Sequence, residues 1–301
     1  MGRNVKVRPW SERVPYYFRV GSDLQRAVYV AARKLMRPGL ALERQRLARE
    51  LSGDAPFAIP RDTGYRAFPA GHFPEAGEIV AAARDAVRRG REENRIAKAR
   101  KPFLAGMLDP ATLTLDSALM RLALRPDVVA AVAQYLGVVP ILQYVNVFYS
   151  GHVDQEPSKS QLYHCDSDDT TQMKIFVLCS DVRRENGPLT VLSAAQSARL
   201  RRTVGYEYKF RVTDEQAAPF VPGHEEAMLG PAGTTCFVDT SRCFHYGSRV
   251  EGSAEPRVIA MLQYLTPYAF ILPGDPRRVA RFRHLATPAL PRLSRFILGA
   301  E

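Results

Sequence analysis

The sequence predicts an α+β protein in which a helical first part precedes a β unit that closes as a sandwich or jelly-roll barrel. Two observations carry this. Before residue 140, apolar residues recur at helical spacing between Pro and Gly stops. From Pro140 onward the chain breaks into short β-branched and aromatic runs separated by turn residues. Helices followed by a series of strands mark an α+β arrangement. Short strands can bury their apolar faces only by stacking two sheets or closing on themselves.

Four helices are expected in the first part. Leu24–Met36 carries apolar residues at helical spacing and ends before Pro38. Glu75–Lys101 is rich in Ala, Arg and Glu and is stopped by Pro102. Ser117–Leu124 is a third, and a fourth opens at Pro126-Asp127 and ends near Gly137. Strands are expected at Gln143–Tyr149, Met173–Cys179, Leu189–Leu192, Tyr206–Val212, Thr234–Val238 and Arg257–Leu265. Turn signals such as Glu185-Asn186-Gly187-Pro188 and Pro222-Gly223 separate some of them. Leu290–Leu298 reads as a short amphipathic helix packed on the β unit. The expected organisation is a mainly helical region at 1–139, a β core at 140–272 and a basic tail at 273–301, all in one structural unit.

Net charge is +11, with the excess in the helical region and the tail, while residues 140–272 are net acidic. A nucleic-acid binder concentrates basic residues on its recognition element, so none is expected as a partner. Basic flanks around an acidic core suit a solvated surface or an anionic small molecule, including one carried on CoA or a carrier protein. The longest apolar run, Val128–Leu142, is interrupted by Gln134, Tyr135, Gly137 and Pro140 and is too short to span a bilayer. Met1–Lys6 has no signal-peptide apolar stretch, and Lys6 stands where myristoylation needs Ser or Thr. Cys165, Cys179, Cys236 and Cys243 form no C-x-x-C pair, which points to reduced thiols rather than structural zinc. The expected location is cytoplasmic.

The chemistry-bearing stretch is Tyr163-His164-Cys165-Asp166. In an extended chain successive side chains alternate faces, so His164 and Asp166 point one way and Cys165 the other. An imidazole and a carboxylate on one face make two-thirds of a facial triad, the ligand set of non-haem Fe(II) oxygenases. His152-Val153-Asp154 repeats the spacing, but in loop-like surroundings that would not orient its side chains. His72, His224, His245 and His284 are candidates for the third ligand. His224 sits in a turn, His72 and His284 lie outside the β region, and His245 stands close to the end of a strand. Arg257 opens the strand that follows. A guanidinium there suits a carboxylate held at a distance from the metal.

Tyr163-His164-Cys165-Asp166, the run Met173–Val182, Glu185–Leu192, then His245 and Arg257 together resemble the phytanoyl-CoA dioxygenase family. The helical lead-in Leu122–Gly137 is similar to what precedes that family's barrel, and the resemblance covers about residues 115–268. It implies a double-stranded β-helix, a jelly-roll or cupin-like core with the helical region packed on it. It also implies Fe(II), 2-oxoglutarate and O2, and hydroxylation of a small-molecule substrate with release of succinate and CO2. His164, Asp166 and His245 would then be the iron ligands and catalytic centre. Arg257 would hold the 5-carboxylate of 2-oxoglutarate, aided by Ser248, and Lys174 would face the cosubstrate or substrate. The chain departs from the family where Ser193-Ala194-Ala195-Gln196-Ser197 replaces its usual Pro-Gly-Ser-His. Two other readings stay open here: a cupin-like metal protein that does not use 2-oxoglutarate, and a non-catalytic binding module.

Overall fold

The computed structural model describes residues 23–53, 55–208, 210–270 and 281–300. Its helices are α1 (Asp23–Met36), α2 (Pro38–Ser52), α3 (Ala76–Glu92), α4 (Ala118–Leu124), α5 (Pro126–Leu136), α6 (Ala194–Thr203), α7 (Asp214–Ala217) and α8 (Arg292–Ile297). Its strands are β1 (Tyr65–Phe68), β2 (Ala105–Gly106), β3 (Ile141–Ser150), β4 (Gln172–Leu178), β5 (Thr190–Leu192), β6 (Glu225–Ala227), β7 (Thr235–Val238), β8 (His245–Tyr246) and β9 (Arg257–Leu265). They form a six-stranded sheet in the order β1-β7-β4-β9-β3-β2 and a three-stranded sheet in the order β6-β5-β8. Every pairing is antiparallel. Both edge strands of the larger sheet come from before residue 140, so the mainly helical region also contributes to the β structure.

Period-two alternation decides what each face of the large sheet does. Val145 and Val147 on β3, Met173, Ile175 and Val177 on β4, and Ala260, Leu262 and Tyr264 on β9 pack with Ile79, Ala83, Met120, Leu122, Val128 and Phe296 from the helices. Burying each Leu, Ile, Val, Met or Phe side chain contributes about 1.5–3 kcal/mol, so this layer anchors the helices to the sheet. The intervening residues Tyr144, Phe148, Phe176, Ile259 and Met261 form a second cluster on the opposite face. That face looks into a cavity shared with the smaller sheet.

Several elements differ from the sequence expectation. Pro38 ends α1 but also opens α2, because its fixed φ and missing N–H suit a first helical turn. The helix expected over Glu75–Lys101 stops at Glu92, where Asn94 takes a left-handed φ of 57° and the chain turns toward the cavity. No strand forms over the described part of Tyr206–Val212; only Val212 bridges, to Tyr163. Tyr206 and Tyr208 instead pack their rings around Arg201, and Arg26 stacks on Tyr208. The C-terminal helix is shorter than expected and buries Phe296 and Ile297 in the main core. The readings on Met1–Lys6 and on 273–280 lie outside the described residues. All four cysteines are buried and unpaired with one another. No helix among the described residues is long and apolar enough to cross a membrane.

Candidate metal centre

Leu162–Asp166 runs extended beside β8. His164 and His245 exchange both backbone hydrogen bonds (3.1 and 3.0 Å), and the Asp166 N–H donates to the Thr240 carbonyl (2.8 Å). This pairing fixes the alternation. Cys165 turns away and accepts a hydrogen bond from Arg201, while His164, Asp166 and His245 converge. Their ligand atoms lie within 4.8 Å of one another. Asp166 Oδ1 is 3.9 Å from His164 Nε2, and Asp166 Oδ2 is 3.8 Å from His245 Nε2. Both distances fall within the roughly 4.2 Å that two donors can span when each sits about 2.1 Å from a shared ion.

Neighbouring groups set the protonation. His164 Nδ1 lies 2.9 Å from the Leu162 carbonyl and His245 Nδ1 lies 3.0 Å from the Cys243 carbonyl. A carbonyl only accepts, so Nδ1 carries the hydrogen in both rings and Nε2 presents its lone pair to the centre. Burial, joined at His164 by repulsion from the His245 ring, holds that imidazole well below its ordinary value; burial likewise lowers His245. Burial alone would raise Asp166, but the Lys174 ammonium, by its charge and its hydrogen bond, outweighs it and holds the carboxyl low. Lys174 Nζ donates to Asp166 Oδ2 at 2.7 Å and Gln172 Nε2 donates to the same oxygen at 3.0 Å. Gln172 is held in turn by Gln263 (3.0 Å). Two neutral imidazoles and one ionised carboxylate are the protonation states that a divalent metal requires.

A pH dependence follows. With folded-state values lowered, the stabilising effect of keeping these imidazoles neutral is fully present above the ordinary histidine value of 6.5. It is lost as pH falls below that, because the unfolded chain takes up protons that the fold refuses. Zn(II) uptake by the metal-free protein therefore reaches its midpoint only below pH 6.5, where a free imidazole is already half protonated. Titrations at pH 7.0, 6.5 and 6.0 check this, and an uptake midpoint at 6.5 or above contradicts it.

The centre opens into a cavity of about 520 Å³. Tyr144, Phe148, Phe176, Ile259 and Met261 give it apolar walls, and Arg257 lies along its lining. Arg257 is 3% exposed and pairs across the sheet with Ser150. Its Nη2 donates to Ser248 Oγ (2.9 Å) and Ser150 Oγ (3.3 Å), while Nε and Nη1 are buried without a hydrogen-bond partner. Burial lowers this guanidinium to about 10. Ser248 holds its hydroxyl there from a left-handed backbone, φ 62°, tied by its N–H to the Gly187 carbonyl (3.0 Å).

The structure thus brings His164, Asp166, His245, Arg257, Ser248 and Lys174 to one cavity. Lys174 does so through its hydrogen bond to Asp166. The second H-x-D stays apart: His152 hydrogen-bonds through Nδ1 with the Val250 carbonyl, and Asp154 is exposed. His72 stacks on Phe68, and His284 is exposed. On β3, Tyr144 and Phe148 line the cavity, Asn146 donates to the Tyr144 hydroxyl, and Tyr149 packs on the helical side. Gln172, Gln263, Ser150 and Lys101 also belong to the site, and no sequence motif marks them.

No protein-family model matches the chain, and no curated protein matches it. Among solved structures it is similar to the non-haem α-ketoglutarate-dependent epimerase SnoN from nogalamycin biosynthesis, at 18% identity over 73% of this chain and 83% of that one, TM-score 0.46. It is also similar to EctD from S. alaskensis in its apoform, at 20% identity over 73% and 76%, TM-score 0.48. A third is HygX from Streptomyces hygroscopicus with nickel and 2-oxoglutarate bound, at 15% identity over 70% and 88%, TM-score 0.45.

Proposed function

We propose that the chain is an Fe(II)- and 2-oxoglutarate-dependent oxygenase of the phytanoyl-CoA dioxygenase type, built on a double-stranded β-helix, that hydroxylates a small molecule. The observation that carries this is Arg257. A buried guanidinium whose Nε and Nη1 have no hydrogen-bond partner among the described residues, in the same cavity as a His-Asp-His group, fits a dicarboxylate that reaches from the metal to the cation. Burying a cation without a counter-charge is unfavourable for folding alone, so an incoming carboxylate accounts for its retention. A metal protein that does not use 2-oxoglutarate has no need of that cation.

In this reading His164, Asp166 and His245 would hold the iron. Fe(II) with 2-oxoglutarate and O2 supplies an oxidant able to attack an unactivated C–H bond, with succinate and CO2 as by-products. Gln172 and Lys174 keep Asp166 ionised and oriented. Arg257, with Ser248 and Ser150 fixing its rotamer, would take the far carboxylate of 2-oxoglutarate. Tyr144, Phe148, Phe176 and Met261 keep water from the reacting carbon.

Adding Fe(II) and 2-oxoglutarate anaerobically to the metal-free protein gives a visible metal-to-ligand charge-transfer band. His164→Ala, with its far-ultraviolet circular dichroism unchanged, gives none. A folded, metal-loaded wild-type protein without the band overturns the assignment.

A further inference from the structure

The iron and 2-oxoglutarate reading gives a task to every charged group deep in the cavity except Lys101. This lysine follows the turns that end α3 and enters the cavity beside Leu104, Phe148 and Lys174. Its Nζ donates to Ser160 Oγ at 2.9 Å, the single hydrogen bond it makes among the described residues. Two donor directions of its ammonium therefore remain for another group. Ser160 is itself fixed: its carbonyl accepts from Gly247 N–H, and it belongs to a turn whose N-terminal end is closed by a reciprocal capping box between Ser158 and Gln161.

Charge balance says what that group is. The lining holds four cations, Arg100, Lys101, Lys174 and Arg257, and one carboxylate, Asp166. Once a divalent ion and a dianionic cosubstrate are present, Asp166, Arg257 and Lys174 leave the site net positive, and Lys101 adds to the excess. Burial lowers the Lys101 ammonium to about 8, against the attraction of Asp166, so it is a cation held partly out of water without a partner of its own. The same cavity also has apolar walls, with Leu104, Tyr144, Phe148 and Leu189 among its lining.

Resting on the oxygenase reading of the same cavity, we propose that Lys101 is the receptor for an acidic group of the substrate, a carboxylate or phosphate on an apolar body. That body lies along Tyr144 and Phe148, so the Lys101 contact fixes which carbon faces the metal. Lys101 is then a binding and specificity residue, distinct from Arg257, whose partner is the cosubstrate.

The test is calorimetric titration with three probes sharing one apolar body: hexanoate, hexyl phosphate and hexan-1-ol. Each is titrated into protein loaded anaerobically with Fe(II) and 2-oxoglutarate, and again into metal-free protein. Wild type binds at least one of the two anions roughly 10- to 100-fold more tightly than the alcohol, the range of one charge-assisted hydrogen bond. The tighter of the two identifies carboxylate or phosphate as the natural head group. Lys101→Gln erases the preference and leaves 2-oxoglutarate affinity unchanged, and Lys101→Arg restores much of it. Equal or absent binding of anion and alcohol to wild type overturns the proposal. So does a preference that survives in Lys101→Gln, or a Lys101→Gln defect confined to 2-oxoglutarate. If the charge-transfer band never forms, the oxygenase reading fails by itself, and the metal-free titrations still decide Lys101.

Discussion

Arg257→Met makes the metal-free protein more stable and weakens its hold on 2-oxoglutarate. The guanidinium is buried and, among the described residues, has no carboxylate partner and leaves Nε and Nη1 unsatisfied. Leaving a buried donor unpaired costs about 1–3 kcal/mol, more for a charged group. Its removal strands nothing, because the Ser150 and Ser248 hydroxyls already lie 3.0 Å apart and bond to each other. Met fills the space with a flexible apolar chain. The expected gain in unfolding free energy is therefore about 1–3 kcal/mol by urea denaturation. Cosubstrate binding moves the other way: losing one partner of a buried charge pair costs about 2–5 kcal/mol, or roughly 30- to 4,000-fold in Kd. Titration of the anaerobic charge-transfer band reads that loss. A variant that is destabilised yet keeps its 2-oxoglutarate affinity would mean that Arg257 serves the fold instead.

Gly187→Ala costs about 2–5 kcal/mol of stability. Gly187 has φ 62°, and a Cβ there would meet the backbone N and C of Arg249 at 2.6 Å and the Val250 N at 2.7 Å. A left-handed conformation for a residue with a Cβ accounts for about 1–2 kcal/mol. Forcing apart a packed backbone adds about 1–3 kcal/mol. The strands cannot relax without breaking the Ser248 N–H bond to the Gly187 carbonyl, so the damage reaches the hydroxyl that orients Arg257. Gly205→Ala is the control: its φ is 57° but nothing lies within 4 Å, so it loses the conformational share alone, about 1–2 kcal/mol. Equal urea midpoints for the two variants would show that the close approach at Gly187 is not rigid.

Local chemistry explains which parts of this molecule are legible in its sequence. The β9 strand is readable from Arg257 to Leu265 because an apolar, β-branched run is self-evident and its partners on both sides bury it. The convergence of His164 and Asp166 is readable because alternation in an extended chain needs only the spacing of two residues. Lys101 is not, since an Ala- and Arg-rich segment reads as continuous helix, whereas the chain leaves the helix after Glu92 and takes a left-handed turn at Asn94. Gln172 and Gln263 escape for a related reason. A glutamine inside a strand pattern carries no signal until the neighbouring strand places Asp166 or another amide against it. The strand pattern at Tyr206–Val212 misleads because aromatic residues favour strands and equally favour packing on arginine. Pro38 marks a boundary in either case, but whether a second helix follows depends on Arg44, whose guanidinium ties α2 to the carbonyls of Val139, Pro140 and Phe296.

Because His164 and His245 exchange both backbone hydrogen bonds, their imidazoles are spaced by the antiparallel ladder and not by the ion they hold. The donor set is ready before metal arrives, so little conformational entropy is lost on loading. The same readiness weakens discrimination. Two imidazoles and a carboxylate at these separations accept any first-row divalent ion, and intrinsic affinity rises from Mn(II) and Fe(II) toward Ni(II) and Cu(II). On the proposed oxygenase reading, iron in this site would be a matter of supply: the cell's pool of labile metals, and not the fold, would decide which ion occupies it.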